Sequence, residues 1–149
     1  MYKRILVPVD GSETSAKALA TAVEMARGSG GQIHLVHCVD ELAYLGAYDY
    51  VGAIIDLVRE NGAKVLSEAA DTCRAAGVDA VSTFIDTPGQ RLGTSIAKQA
   101  TDWKADLIVV GTHGRRGVDR LVMGSGAEQI IRTAPAPVLV VRGGAAGPG

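Results

Sequence analysis

Five short apolar runs alternate along the chain with longer stretches of helical period. Ile5-Leu6-Val7-Pro8-Val9 has no polar alternation, the pattern of a strand covered on both faces. Leu107–Val110 reads the same way, Val138–Val141 is a compact apolar strand that could form an edge, and 33–39 and 78–85 complete the set. After the first run, Ser12 can cap a helix whose stripe is Ala16, Leu19, Ala20, Val23 and Ala26, closed by Gly28. Glu41–Tyr50 reads as a loop, followed by a helix carrying Ile54, Leu57, Val58, Val65, Leu66, Ala69 and Cys73 on one face and ending at Gly77. Thr87-Pro88-Gly89-Gln90 reads as a capping box with Pro at the first helical position, opening a helix with Leu92, Ile96, Ala100 and Trp103 inward. Ser125-Gly126-Ala127-Glu128 is a second capping box, before a helix burying Ala127, Ile130 and Ile131 that Pro135 and Pro137 stop. The order βαβαβαβαβ predicts one α/β domain over residues 1–142: a doubly wound, open, five-stranded parallel sheet, Rossmann-like, with helices on both faces. Residues 143–149 are expected to form a disordered Gly-rich tail. Ligands of such sheets bind beyond the carboxyl ends of the strands at the switch point, which directs attention to Val9-Asp10, His37-Cys38-Val39 and Val110-Gly111.

Composition narrows the function. A net charge of −1 removes the bulk electrostatic case for nucleic acid or an anionic membrane, and 4% aromatics is too few for a base-stacking platform. No apolar run approaches the ~20 residues of a membrane helix, and the N-terminal stretch lacks the features of a signal peptide, so a cytoplasmic protein is expected. Cys38 and Cys73 form no C-x-x-C pair, which leaves a disulfide framework and a zinc site unsupported.

Glycine is the unusual component, with 19 of 149 residues, about 13% against a usual ~7%. Five of them, Gly111, Gly114, Gly117, Gly124 and Gly126, fall within sixteen residues that leave a strand and enter a helix. Glycines let backbone N–H groups converge on a ligand, and a helix N-terminus adds orphan donors and partial positive charge. Arg115, Arg116 and Arg120, offset only by Asp119, raise the local charge, and the segment describes a phosphate site. No G-x-x-x-x-G-K-[ST] occurs, and no G-x-G-x-x-G follows the first strand.

Gly111-x2-Gly114-x9-Gly124-Ser125 resembles the nucleotide-binding signature of the universal stress protein family, in its ATP-binding branch. The opening Ile5-Leu-Val-Pro-Val-Asp10-Gly-Ser-Glu and the closing Pro137-Val-Leu-Val-Val-Arg142 also resemble that family's ends. The resemblance implies that Pro8, Val9 and Asp10 flank the nucleoside, Asp10 near the ribose or a Mg²⁺ carried by the nucleotide. Cys38 would meet the adenine through its backbone, Val110 and Gly111 would line the nucleoside, and Gly114, Arg115, Gly124, Ser125 and Gly126 would cradle the phosphates. It further implies ATP as ligand, a stress-response role with an unidentified protein partner, and a homodimer formed along Val138–Val141. No residue is placed as a base to activate water, so at most slow hydrolysis is expected rather than an enzyme.

Local features leave other roles open. Asp10 could hold a turn, Ser125 could only cap its helix, and His113 could approach phosphate or be solvated. The loop arginines could be surface charge and the cysteines core residues. His34 and His37 point to opposite faces of their strand, so they cannot share a metal; packing or surface roles suit both. Two other functions compete. Asp10, Asp86, Thr112 and Arg142 at strand ends resemble a phosphoacceptor receiver with Asp86 modified, although Arg142 is no equivalent of a lysine. The fold could also be a dimeric interaction module with a vestigial pocket.

Overall fold

The computed structural model describes residues 2–39, 51–86, 90–112 and 125–142. The expected loop at 41–50, Thr87–Gly89, the glycine-rich segment 113–124 and the tail 143–149 lie outside the described residues. The elements are β1 (Arg4–Pro8), α1 (Glu13–Ser29), β2 (Gln32–Cys38), α2 (Val51–Ala75), β3 (Ala80–Ile85), α3 (Leu92–Trp103), β4 (Leu107–Gly111), α4 (Ser125–Thr133) and β5 (Val138–Val141). The five strands form one all-parallel sheet in the order β3-β2-β1-β4-β5, the doubly wound fold the alternation predicts.

Side chains leave the strands to alternate faces and build two cores. Ile5, Val7, Ile33, Leu35, Leu107 and Val109 pack under α1 and α2, while Leu6, Val36, Ile108 and Val110 pack under α3 and α4. All ten are buried, which is why these strands show no polar alternation. Among the described residues no helix is long and apolar enough to cross a membrane.

Several helix details differ from expectation. In α1 the buried stripe is Ser15, Ala18, Leu19, Ala22, Val23 and Ala26, and Ala16 and Ala20 are exposed. Gly28 lies inside the helix; the left-handed cap is Gly30, whose N–H reaches Ala26 O. Leu57 of α2 and Ile131 of α4 are exposed, not buried. The predicted box at Thr87–Gln90 does not open α3, which starts at Leu92 after a non-helical Arg91 that makes no side-chain cap. The acceptor role passes to a neighbour: Gly93 N–H donates to Gln129 Oε1 of α4 at 2.9 Å.

Both histidines of β2 are buried, on opposite faces. His34 Nε2 lies 2.7 Å from Thr83 Oγ1 and its ring meets Trp103 edge-on at 4.9 Å, while Arg4 stacks over that indole at 4.2 Å. Its buried Nδ1 has no hydrogen-bond partner among the described residues. Burial, with help from the Arg4 charge, lowers the His34 pKa below its ordinary value. The unfolded chain therefore takes up a proton before the folded one, and stability is lost as pH falls below about 6.5. Denaturation midpoints at pH 7.5 and 5.5 are expected to show this loss, and His34→Phe to flatten it; an equal loss in both proteins would assign it elsewhere.

Candidate nucleotide site at the carboxyl ends of β1 and β4

The switch point lies between β1 and β4, since the chain winds outward from β1 through β2 to β3 and returns to β4 on the other side. The two strands pair only at Ile5↔Leu107 and Leu6↔Ile108, whereas β1 pairs with β2 as far as Pro8↔Val36. Even-numbered residues of β1 present their backbone groups to β4, and Pro8 has no N–H to give. The β1–β4 ladder therefore stops before the strands end, at the switch point where doubly wound sheets have their ligand crevice.

A network of hydroxyls organises one wall of this crevice. Asp10 is exposed and Gly11 turns the chain at φ +84°. Ser12 N–H donates to Asp10 Oδ1 at 2.8 Å, so one carboxylate oxygen does hold the turn that its position suggested. Ser12 Oγ accepts from Ser15 N–H at 3.2 Å and caps α1, Ser15 Oγ accepts from Asp10 N–H at 3.3 Å, and Thr14 Oγ1 lies 3.1 Å from Ser12 Oγ. The opposite wall is the end of β4. A Cβ added to Gly111 would lie 2.5 Å from Thr14 O, so strand end and helix start meet backbone to backbone.

Val9 and Val110 are buried beneath this mouth. Cys38 at the end of β2 is half-buried against the α3–α4 core, and burial pushes its thiol up to about 12, so it stays a neutral thiol. Cys73 is a core residue, as expected. Gly126 stands in the first turn of α4, and a Cβ there would fall 2.6 Å from Leu92 Cδ2; its bare side faces α3. Any contact it makes with phosphate is through its backbone. Ser125 begins α4, while Gly114, Arg115 and Gly124, with His113, lie outside the described residues. Pro8, Val9, Asp10 and Gly111 are thus brought to one crevice, with Cys38 one strand further along.

Asp86 ends β3 at the sheet edge, where Arg59 Nε meets its Oδ2 at 3.0 Å. A receiver's order, 2-1-3-4-5, sets strand three beside strand one. Here β2 intervenes and separates Asp86 from β1 by two strand spacings, about 9–10 Å. Sequence reasoning passed over the Ser15 hydroxyl, which holds Asp10 N–H, and gave His37 a packing or surface role, whereas its Nδ1 lies 2.9 Å from Val9 O beneath the mouth.

A model of the universal stress protein family matches residues 1–142. The chain belongs to this family. A curated relative, a universal stress protein of Methanocaldococcus jannaschii, is 32% identical over 145 residues, covering 95% of this chain and 83% of the relative. A universal stress protein from Archaeoglobus fulgidus solved in complex with dAMP superimposes with a TM-score of 0.68 at 25% identity, over 94% of this chain and 98% of that one. Another, solved in complex with cAMP, gives a TM-score of 0.65 at 25% identity, over 95% and 97%. Some universal stress proteins therefore bind adenine nucleotides.

Proposed function

We propose that this universal stress protein is an ATP-binding regulatory protein of the cytoplasm, responding to stress through what it binds when the pocket is filled. The observation that carries the reading is the early end of the β1–β4 ladder at Pro8, with α4 beginning at Ser125 directly after the glycine-rich segment. The adenosine would lie along Pro8, Val9, Cys38, Val110 and Gly111. The phosphates would meet the backbone around Gly114 and Gly124–Gly126, with Arg115 adding charge. The relatives crystallised with dAMP and cAMP support an adenine nucleotide; the preference for ATP rests on the glycine spacing. Mg²⁺ is commonly held by one carboxylate plus substrate phosphates, a mode that Asp10 at the mouth fits. Among the described residues no three His, Cys, Asp or Glu converge to hold a metal by themselves.

Thermal unfolding with Mg-ATP, with AMP as comparison, tests this. A ligand at a hundred times its Kd stabilises by about 2.7 kcal/mol, roughly 5–10 °C for a domain of this size. That shift, lost when Gly114 or Gly124 is made bulky, is the expected result. No shift at millimolar ATP, from protein free of bound nucleotide, would leave the interaction module. Among the described residues of the mouth none is placed as a base to activate water, so turnover is expected below about 1 s⁻¹, the low end of typical enzymes; sustained faster hydrolysis would overturn the regulatory reading.

The homodimer is proposed along β5. Val138–Val141 is an edge strand of four apolar residues with Leu139 37% exposed, and such edges are normally paired or covered. Light scattering is expected to give twice the chain mass, and Leu139→Lys to give the monomer. A monomeric wild type would refute the dimer without touching the nucleotide site.

A further inference from the structure

The geometry points to His37 as a positioning residue for the nucleotide pocket: its imidazole takes the Val9 carbonyl out of the β1–β2 ladder and fixes the β1–α1 turn. This rests on the nucleotide reading above. Pairing of β1 with β2 ends at Pro8↔Val36, although Val9 N–H still reaches Val36 O at 2.8 Å. The next ladder bond would run from Cys38 N–H to Val9 O. Instead Val9 O is met by His37 Nδ1 at 2.9 Å. Beyond this point β2 stays with β3, Val39 N–H reaching Ile85 O at 3.0 Å, while β1 departs, Asp10 N–H turning to Ser15 Oγ of α1.

Two strand ends thus separate without leaving the Val9 carbonyl unsatisfied in a buried place, where an unpaired acceptor carries its full desolvation penalty. The carbonyl accepts, so Nδ1 carries the proton. Buried like Val9 itself, the ring is held between Phe84, 5.7 Å away between centroids, and Gly62 of α2. A Cβ on Gly62 would lie 2.9 Å from His37 Cδ2, so the absence of a side chain there is what admits the ring. His37 does not reach the mouth. It acts through Val9 and Asp10, the residues that would flank the nucleoside, and it releases the Cys38 N–H from β1 on the side where the base would lie.

The test compares wild type, His37→Leu, which fills the space without a donor, and His37→Asn, whose Nδ2 reaches the place of Nδ1. ATP affinity by calorimetry and nucleotide-free unfolding midpoints are measured for all three, with ¹⁵N spectra of the wild-type imidazole. The expected result is a protonated Nδ1, ATP binding about threefold to tenfold weaker in His37→Leu, as for one lost hydrogen bond, and recovery of most of that affinity in His37→Asn. A proton on Nε2 alone, wild-type affinity in His37→Leu, or equal weakening in both variants whatever their midpoints would overturn the inference. A wild type that binds no ATP would bring down the nucleotide reading and this inference together. That outcome is distinct from a wild type that binds while His37→Leu binds equally well.

Discussion

Gly111→Val is expected to remove nucleotide binding and to lower the nucleotide-free midpoint by about 6–12 °C. A Cβ at this position would lie 2.5 Å from the Thr14 carbonyl oxygen and 2.8 Å from its carbon. Both are backbone atoms, so no rotamer change relieves the contact; β4 and α1 must move apart. Overpacking of this kind costs about 1–3 kcal/mol, and the upper end applies where backbone meets backbone. At roughly 2–4 °C per kcal/mol for domains near this size, that gives the stated shift. The functional effect follows from what the first turn of α1 holds. Ser12 and Ser15 bind Asp10, so displacing Thr14 carries the nucleoside wall away from β4. Gly28→Ala is the control, since a Cβ there, in the last turn of α1, meets nothing within 4 Å. It is expected to raise the midpoint, Ala being about 1 kcal/mol better than Gly in a helix. Scanning calorimetry with and without Mg-ATP checks both. A Gly111→Val protein with the wild-type midpoint and the full ATP shift would show that the β4–α1 contact does not shape the pocket.

The strands were legible because strands buried on both faces need unbroken apolar runs, and Ile5–Val7, Ile33, Leu35, Val36 and Leu107–Val110 supply them. Their alternation with helices then fixed the layers and located the crevice. The helix faces were less legible for a specific reason. Alanine is a good helix former on either face, so Ala16 and Ala20 could not be told from Ala18 and Ala22 by periodicity, and Ser15, which is buried, looked polar. The start of α3 was missed because its cap comes from another element, Gln129 of α4, far along the sequence. Asp10 and Gly111 are legible at the mouth because strand ends are visible in the sequence, and Pro8 comes with the family resemblance. What Pro8 does there is not legible, because a missing donor matters only once the side of the strand it faces is known. His37 stayed hidden for the same reason: an imidazole one residue from a strand end looks like packing until its Nδ1 is seen on Val9 O.

Gly62→Ala carries the same logic to α2, on the same face of the sheet as α1. Sequence alone would recommend it, since α2 is a 25-residue helix and alanine in place of an interior glycine gains about 1 kcal/mol. The added Cβ would instead fall onto the Phe84 ring and lie 2.9 Å from His37 Cδ2. Phe84 belongs to the edge strand and has some room to yield. His37 has less, being buried and tied to Val9. An overlap costing about 3 kcal/mol against the helical gain leaves a net loss of about 2 kcal/mol, or roughly 4–8 °C. The consequence reaches the mouth as well. A ring pushed off Val9 O frees the β1–α1 turn, so ATP affinity is expected to fall together with stability. A raised midpoint would mean that α2 shifts as a body and leaves both rings in place. A lowered midpoint with unchanged ATP affinity would mean that Phe84 absorbs the displacement while the His37–Val9 contact stays intact.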